Sequence, residues 1–174
     1  GPILCCHMYG VPIGVEWIRR HRVRGVIAIA GGTHNLAPWW EIPSMKLLAW
    51  GGRHVYHLAC IQQVTNYFST NQRHEVMEKF FVESPVPTEL NPYQALEIFW
   101  SYNFFRRQIP PINSNIPALI ISGGQDSMFT AKMGEDLAEC FPFGKHLHLP
   151  DAGHLVMAEY PDVINHAISE SMEL

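Results

Sequence analysis

The chain has no long block of one charge, no apolar run fit to span a bilayer, and few cysteines. Its 12 basic and 16 acidic residues give a formal charge of −4 over 174 residues. That balance lacks the broad basic face that phosphate backbones require, so nucleic acid is not an expected partner. The densest basic stretch, Arg19-Arg20-His21-Arg22-Val23-Arg24, falls at a helix end and the start of the next strand, where cations complement the helix dipole. No segment approaches the roughly 20 apolar residues of a membrane span, which argues against a membrane partner. The apolar start has no basic leader and is broken by Pro12, Gly14 and Glu16, unlike a signal peptide. Cys5, Cys6, Cys60 and Cys140 all lie in apolar surroundings and are expected to be reduced core residues. Neighbouring strand residues face opposite ways, so Cys5 and Cys6 do not suit a shared disulfide, and a cytoplasmic setting is expected.

What remains is globular: 47% of the residues are hydrophobic and 11% aromatic, enough for one domain with a real core. Composition divides the chain in three. Residues 1–32 read as strand, helix and strand, with Ile3 to Cys6, Val11 to His21 and Val26 to Ala30 closed by Gly31-Gly32. A purely apolar five-residue strand bounded by glycines implies burial on both faces, as in a parallel sheet covered by helices. Residues 33–112 read as an inserted helical cap, with apolar residues at three- and four-residue spacing between proline and glycine breaks. Aromatics within it, Trp39, Trp40, Trp50, Tyr67, Phe80, Phe81, Phe99 and Trp100 among them, suit helix packing and a pocket wall. Residues 113–174 return to the α/β rhythm: strand Ala118 to Ser122, helix Thr130 to Cys140, strand Lys145 to Leu149, and a closing helix with Pro161 in its first turn. The fold class is therefore α/β, a parallel sheet of about four strands flanked by helices.

In such sheets chemistry gathers at the carboxyl ends of the strands. Cys6-His7-Met8-Tyr9-Gly10 is a sharp turn between strand and helix, Gly123-Gly124-Gln125-Asp126 follows the second apolar strand, and Pro150-Asp151-Ala152-Gly153-His154 follows the last. The turn, then the acid, then the histidine is the chain order of the α/β-hydrolase triad. Ile116 to Asp126, and Leu149 to His154 with Ala158-Glu159-Tyr160-Pro161, resemble the acid and histidine segments of the α/β-hydrolase superfamily. The turn resembles its nucleophile elbow, G-x-S-x-G, with the last glycine kept, Cys6 at the first glycine and Met8 at the serine. The resemblance covers roughly the first 30 and the last 60 residues, and the middle matches only as a cap of the right size and place.

By that resemblance Met8 occupies the nucleophile position, His154 is the general base, Asp126 orients it, and Tyr9 lends a backbone N–H to the oxyanion hole. The ancestral work so implied is cleavage of an ester or similar acyl bond in a small apolar molecule, without a cofactor. A thioether has no proton to give up, so hydrolysis is expected to be weak or absent. Three readings stay open: a pseudoenzyme that only binds, a serine replaced on purpose to trap a complex, and a His154–Asp126 dyad acting as base in lyase or cofactor-free oxygenase chemistry. The family's second oxyanion donor and first strands precede the elbow, whereas only Gly1 and Pro2 precede Ile3 here. The sheet is thus expected to be an incomplete α/β-hydrolase fold, with strand Ile3 to Cys6 covered by a companion chain or by a second copy in a homo-oligomer.

Other candidates read as structural. His54, His57 and Cys60 share a helix face but lack a fourth ligand, so no metal is expected. His146 and His148 alternate onto one strand face, to meet water or a helix. Glu16 and Glu159 read as solvated charges, and Cys6 is no substitute nucleophile because its side chain points away from the elbow.

Overall fold

The computed structural model describes residues 1–32, 43, 44, 47, 50, 111, 112, 115–126 and 128–173. The expected cap at 33–112, with the His54, His57 and Cys60 face, lies outside the described residues except at those few positions. Of its aromatics Trp50 is described, and it is exposed.

Four parallel strands form the described sheet: β1 (Ile3–His7), β2 (Gly25–Ile29), β3 (Pro117–Gly123) and β4 (Phe143–Leu149), side by side in that order. Helix α1 (Gly10–Arg20) links β1 to β2, and α2 (Ala131–Glu139) links β3 to β4. Two further helices, α3 (Val156–Glu159) and α4 (Pro161–Met172), follow the last strand. All five residues of β2 are buried, as the run Val26 to Ala30 implied. Alternation splits them between two layers. Val26 and Ala28, with Ala118 and Ile120 of β3, pack under Val11, Val15 and Ile18 of α1 and Leu137 of α2. Ile27 and Ile29, with Leu119 and Ile121, pack against Val156 of α3 and Ile164 and Met172 of α4. Ile120 and Ile121 are wholly buried, each contributing about 2 kcal/mol relative to exposure.

Local chemistry sets the helix ends. The Thr130 hydroxyl accepts from the Met133 N–H at 3.4 Å and caps α2. Pro161 sits in the first turn of α4, where its missing N–H costs nothing, and Glu173 closes that helix in the left-handed region at φ 52°. Arg19 and Arg20 end α1 and reach back to Glu16 at 3.3 and 2.7 Å. Glu16 is thus a half-exposed surface partner, a pairing of small worth.

The adjacent cysteines divide as alternation requires, but not as the expectation of four core thiols had it. Cys6 is buried in the layer under α1 whereas Cys5 is exposed. Among the described residues β1 pairs with β2 alone, so nothing there covers the outer edge on which Cys5 lies. Cys6, standing where the elbow pattern has glycine, is accommodated from the helix side. A Cβ on Gly14 would come within 2.4 Å of its sulfur, so this helical glycine leaves the room that the cysteine fills.

Candidate active site

Three loops at the carboxyl ends of β1, β3 and β4 carry the residues that the sequence singled out. The first is the turn at Met8, which leaves β1 with a left-handed φ of 53°. Such a conformation costs a non-glycine residue of order 1 kcal/mol and persists only where surrounding structure enforces it. Here the Met8 N–H donates to the Ile29 carbonyl at 3.0 Å and its own carbonyl accepts from Val11 at 3.2 Å, so sheet and helix fix the turn from both sides. Tyr9 is the N-terminal cap of α1, at the positive end of the helix dipole.

The second and third loops meet. His154 Nδ1 lies 2.8 Å from Asp126 Oδ2, and neither side chain is exposed. The other carboxylate oxygen, Oδ1, accepts from the Met128 and Phe129 N–H groups at 2.8 and 3.1 Å. Asp126 is therefore both a turn former and the partner of His154, one role for each oxygen. The Phe129 ring stacks on His154 with centroids 5.9 Å apart. Backbone contacts lock the two loops together: Gly124 N–H donates to Leu149 at 2.8 Å and Gln125 N–H to Ala152 at 2.9 Å. With Asp126 as acceptor, the imidazole carries its proton on Nδ1 and presents Nε2 as the basic nitrogen, the tautomer a general base needs.

Several contributors were not read from the sequence. His7, at the end of β1, sets its ring 5.1 Å from that of His154. Burial, then the neighbouring His154, pulls its pKa down from 6.5 to about 4, so His7 is neutral at physiological pH. Its Nε2 is buried without a hydrogen-bond partner. The sequence put His7 in the turn after a strand ending at Cys6, with no role of its own, whereas β1 runs on to include it. Glu159, expected as a solvated charge, is fully buried, and its carboxylate oxygens accept from the Gly153 N–H at 3.0 and 3.2 Å. The short helix that carries it brings the carboxylate back under the histidine loop. His146 and His148 do share a face: the buried Ser122 hydroxyl stands between them, 2.8 Å from His146 Nε2 and 3.1 Å from His148 Nδ1. Burial, then His148, lowers the pKa of His146.

Cys6 does not supply a nucleophile. Burial, then its neighbour Cys5, raises its pKa, and it belongs to the layer on the α1 side of the sheet. Among the described residues no group of three or more His, Cys, Asp or Glu side chains is placed to hold a metal, and no helix is long and apolar enough to cross a membrane.

The comparisons with known proteins agree with this fold. The family model of the alpha/beta hydrolase fold matches residues 6–161. The chain belongs to the α/β-hydrolase family. Among solved structures it is similar to an enol-lactonase from Burkholderia xenovorans LB400, with a TM-score of 0.77 and 19% identity over 98% of this chain and 65% of that one. A thermophilic esterase from Thermogutta terrifontis gives a TM-score of 0.75 and 19% identity over 98% of this chain and 64% of that one. At these identities the likeness is one of fold. Among curated proteins the chain is 36% identical over 56 residues to a putative non-heme bromoperoxidase, BpoC, of Mycobacterium tuberculosis, covering 32% of this chain and 21% of that protein. The chain spans about two thirds of the length of the solved relatives and about a fifth of the curated one.

Proposed function

We propose that this chain carries the acid–base half of a hydrolase site for an ester or similar acyl bond in a small, largely apolar substrate, with hydrolysis impaired by Met8. The observation that carries the reading is the fully buried His154–Asp126 pair at 2.8 Å, beside a turn that holds Met8 at φ 53°. A serine in that turn would offer a hydroxyl to His154, whereas the Met8 thioether has no proton to transfer. The solved relatives described as an esterase and an enol-lactonase point to the same bond class.

The test is turnover of a chromogenic short-chain ester by the chain and by Met8→Ser. The chain is expected at the uncatalysed background, with Met8→Ser at least about 100-fold above it and Met8→Ser/His154→Ala back at background. Robust ester turnover by the chain itself would overturn the impaired-hydrolysis reading, and a non-hydrolytic activity abolished by His154→Ala would replace it with the second one. In that reading the intact dyad acts alone as a general base in lyase or cofactor-free oxygenase chemistry, which needs nothing from residue 8. It draws support from the likeness to the putative bromoperoxidase. Silence from Met8→Ser would favour a protein that binds without turnover.

By the same reading, the edge of β1 that no described residue covers is paired by a companion chain or, in the case tested below, by a second copy of this one. Ile13 and Trp17, one helical turn apart on α1, are 62% and 49% exposed on the helix that follows this edge strand. Antiparallel β1–β1 pairing about a two-fold axis would satisfy both edges with one interface. Sedimentation at micromolar concentration is expected to give a dimer, and Trp17→Glu a monomer; a monomeric parent chain would overturn this arrangement.

A further inference from the structure

The structure assigns Glu159 as a positioning residue for the acid–base pair: its buried carboxylate holds the Gly153 amide and thereby sets where the His154 ring stands. An ionised carboxylate is costly to bury, and an exposed one would serve as well at a surface helix end. Yet Glu159 is fully buried, and its carboxyl oxygens lie 3.0 and 3.2 Å from the Gly153 N–H that they accept. The contact closes a ring of seven residues, Gly153 to Glu159, and His154 is the first side chain within it.

The rest of that ring is rigid. Glu159 and Ala158 N–H groups both donate to the Leu155 carbonyl, at 3.1 and 2.8 Å, so the carboxylate is anchored by the same short helix that follows the histidine. On the far side the histidine loop rests on the acid loop, through the Gln125 to Ala152 bond at 2.9 Å. A Cβ on Gly123 would lie only 2.3 Å from the Gly153 carbonyl oxygen. Gly153 is thus flanked on both sides, by the backbone of β3 at Gly123 against its carbonyl and by Glu159 on its N–H. One peptide further on, the Cα of His154 has its position and direction fixed before any substrate arrives. Glu159 touches no reacting atom and acts through this backbone.

The consequence for catalysis rests on reading His154 as the site's base, but the test reads the imidazole directly. Nitrogen-15 NMR of the histidine ring in the full chain gives the His154 tautomer and its low-field Nδ1 proton. Glu159→Ala is expected to lose both that proton and the single Nδ1–H tautomer. Glu159→Gln, which keeps an acceptor oxygen at the same reach, is expected to retain both. Glu159→Asp keeps the charge but is one methylene too short for the Gly153 N–H, and is expected to behave like Glu159→Ala. It serves in its place if the alanine variant does not fold. Ile18→Ala, which opens a cavity under α1 on the opposite face of the sheet, controls for a general loss of stability.

Parental His154 signals in folded Glu159→Ala or Glu159→Asp would overturn the assignment. So would an equal loss of the proton in Ile18→Ala, or failure of Glu159→Gln to preserve it. A chain that hydrolyses nothing leaves these outcomes unaffected, and a His154 indifferent to Glu159 leaves the hydrolase reading standing.

Discussion

Gly123→Ala is expected to destabilise the chain by about 3 kcal/mol or more and to part Asp126 from His154. The added Cβ would lie 2.3 Å from the Gly153 carbonyl oxygen and 2.4 Å from that of Ala152. Both are backbone atoms, and neither belongs to a side chain that can swing aside. Relief requires the histidine loop to back away from β3, the direction that stretches the 2.8 Å contact between His154 Nδ1 and Asp126 Oδ2. The bonds from Gly124 to Leu149 and from Gln125 to Ala152 would lengthen with it. Urea unfolding gives the first effect, and loss of the low-field His154 proton gives the second. Gly10→Ala is the matched control. It changes the glycine that the elbow motif emphasises, yet its Cβ would meet only the Cys6 Cβ at an ordinary 3.8 Å, so stability is expected to move by less than about 1 kcal/mol. Equal losses in the two variants would show that the clash at Gly123 is absorbed without moving the loop.

That contrast shows what a motif conveys and what it does not. The elbow and the acid were legible because each follows an apolar run, a local property, whereas the histidine follows the mixed strand Lys145 to Leu149 and was legible only from its motif. Val26 to Ala30 and Ala118 to Ser122 are apolar throughout, and they became the two middle strands of the described sheet. Asp126 was legible as a candidate but not as a bifunctional one, since its two oxygens serve groups 2 and 28 residues away. Glu159 was misread because a glutamate in a short polar-flanked helix looks solvated until the loop that folds over it is known. Cys5 was misread for the opposite reason: its neighbours in sequence are apolar, but exposure depends on which strand lies next to β1. His7 was read only as part of the turn, and its environment depends on the His154 loop nearly 150 positions away.

His7 has the largest expected effect of pH on this fold. Burial, then the charge of His154, lowers its pKa from 6.5 to about 4, so the folded chain favours the neutral ring. Above pH 6.5 folded and unfolded chains are both neutral at this position, and the stability is fully present. As the pH falls below 6.5, the unfolded chain takes up a proton that the folded chain refuses. Stability then drops by about 1.4 kcal/mol per pH unit until the folded pKa is reached, a total of about 3 kcal/mol. His146, also lowered by burial, adds loss of the same sign. Carboxylates add their own losses below about pH 5, so the window from pH 6.5 to 5 isolates the histidines. Urea unfolding across that window at fixed ionic strength is expected to show a loss of about 2 kcal/mol from His7. His7→Asn, which cannot take up the proton, is expected to remove that slope while leaving the smaller one from His146. An unchanged slope in His7→Asn would mean that His7 accepts its proton without penalty, against the burial of its Nε2 beside the His154 ring. The same burial that makes the fold acid-sensitive keeps His7 uncharged near neutral pH, so that in the proposed reading of His154 as base it has no cationic neighbour at His7.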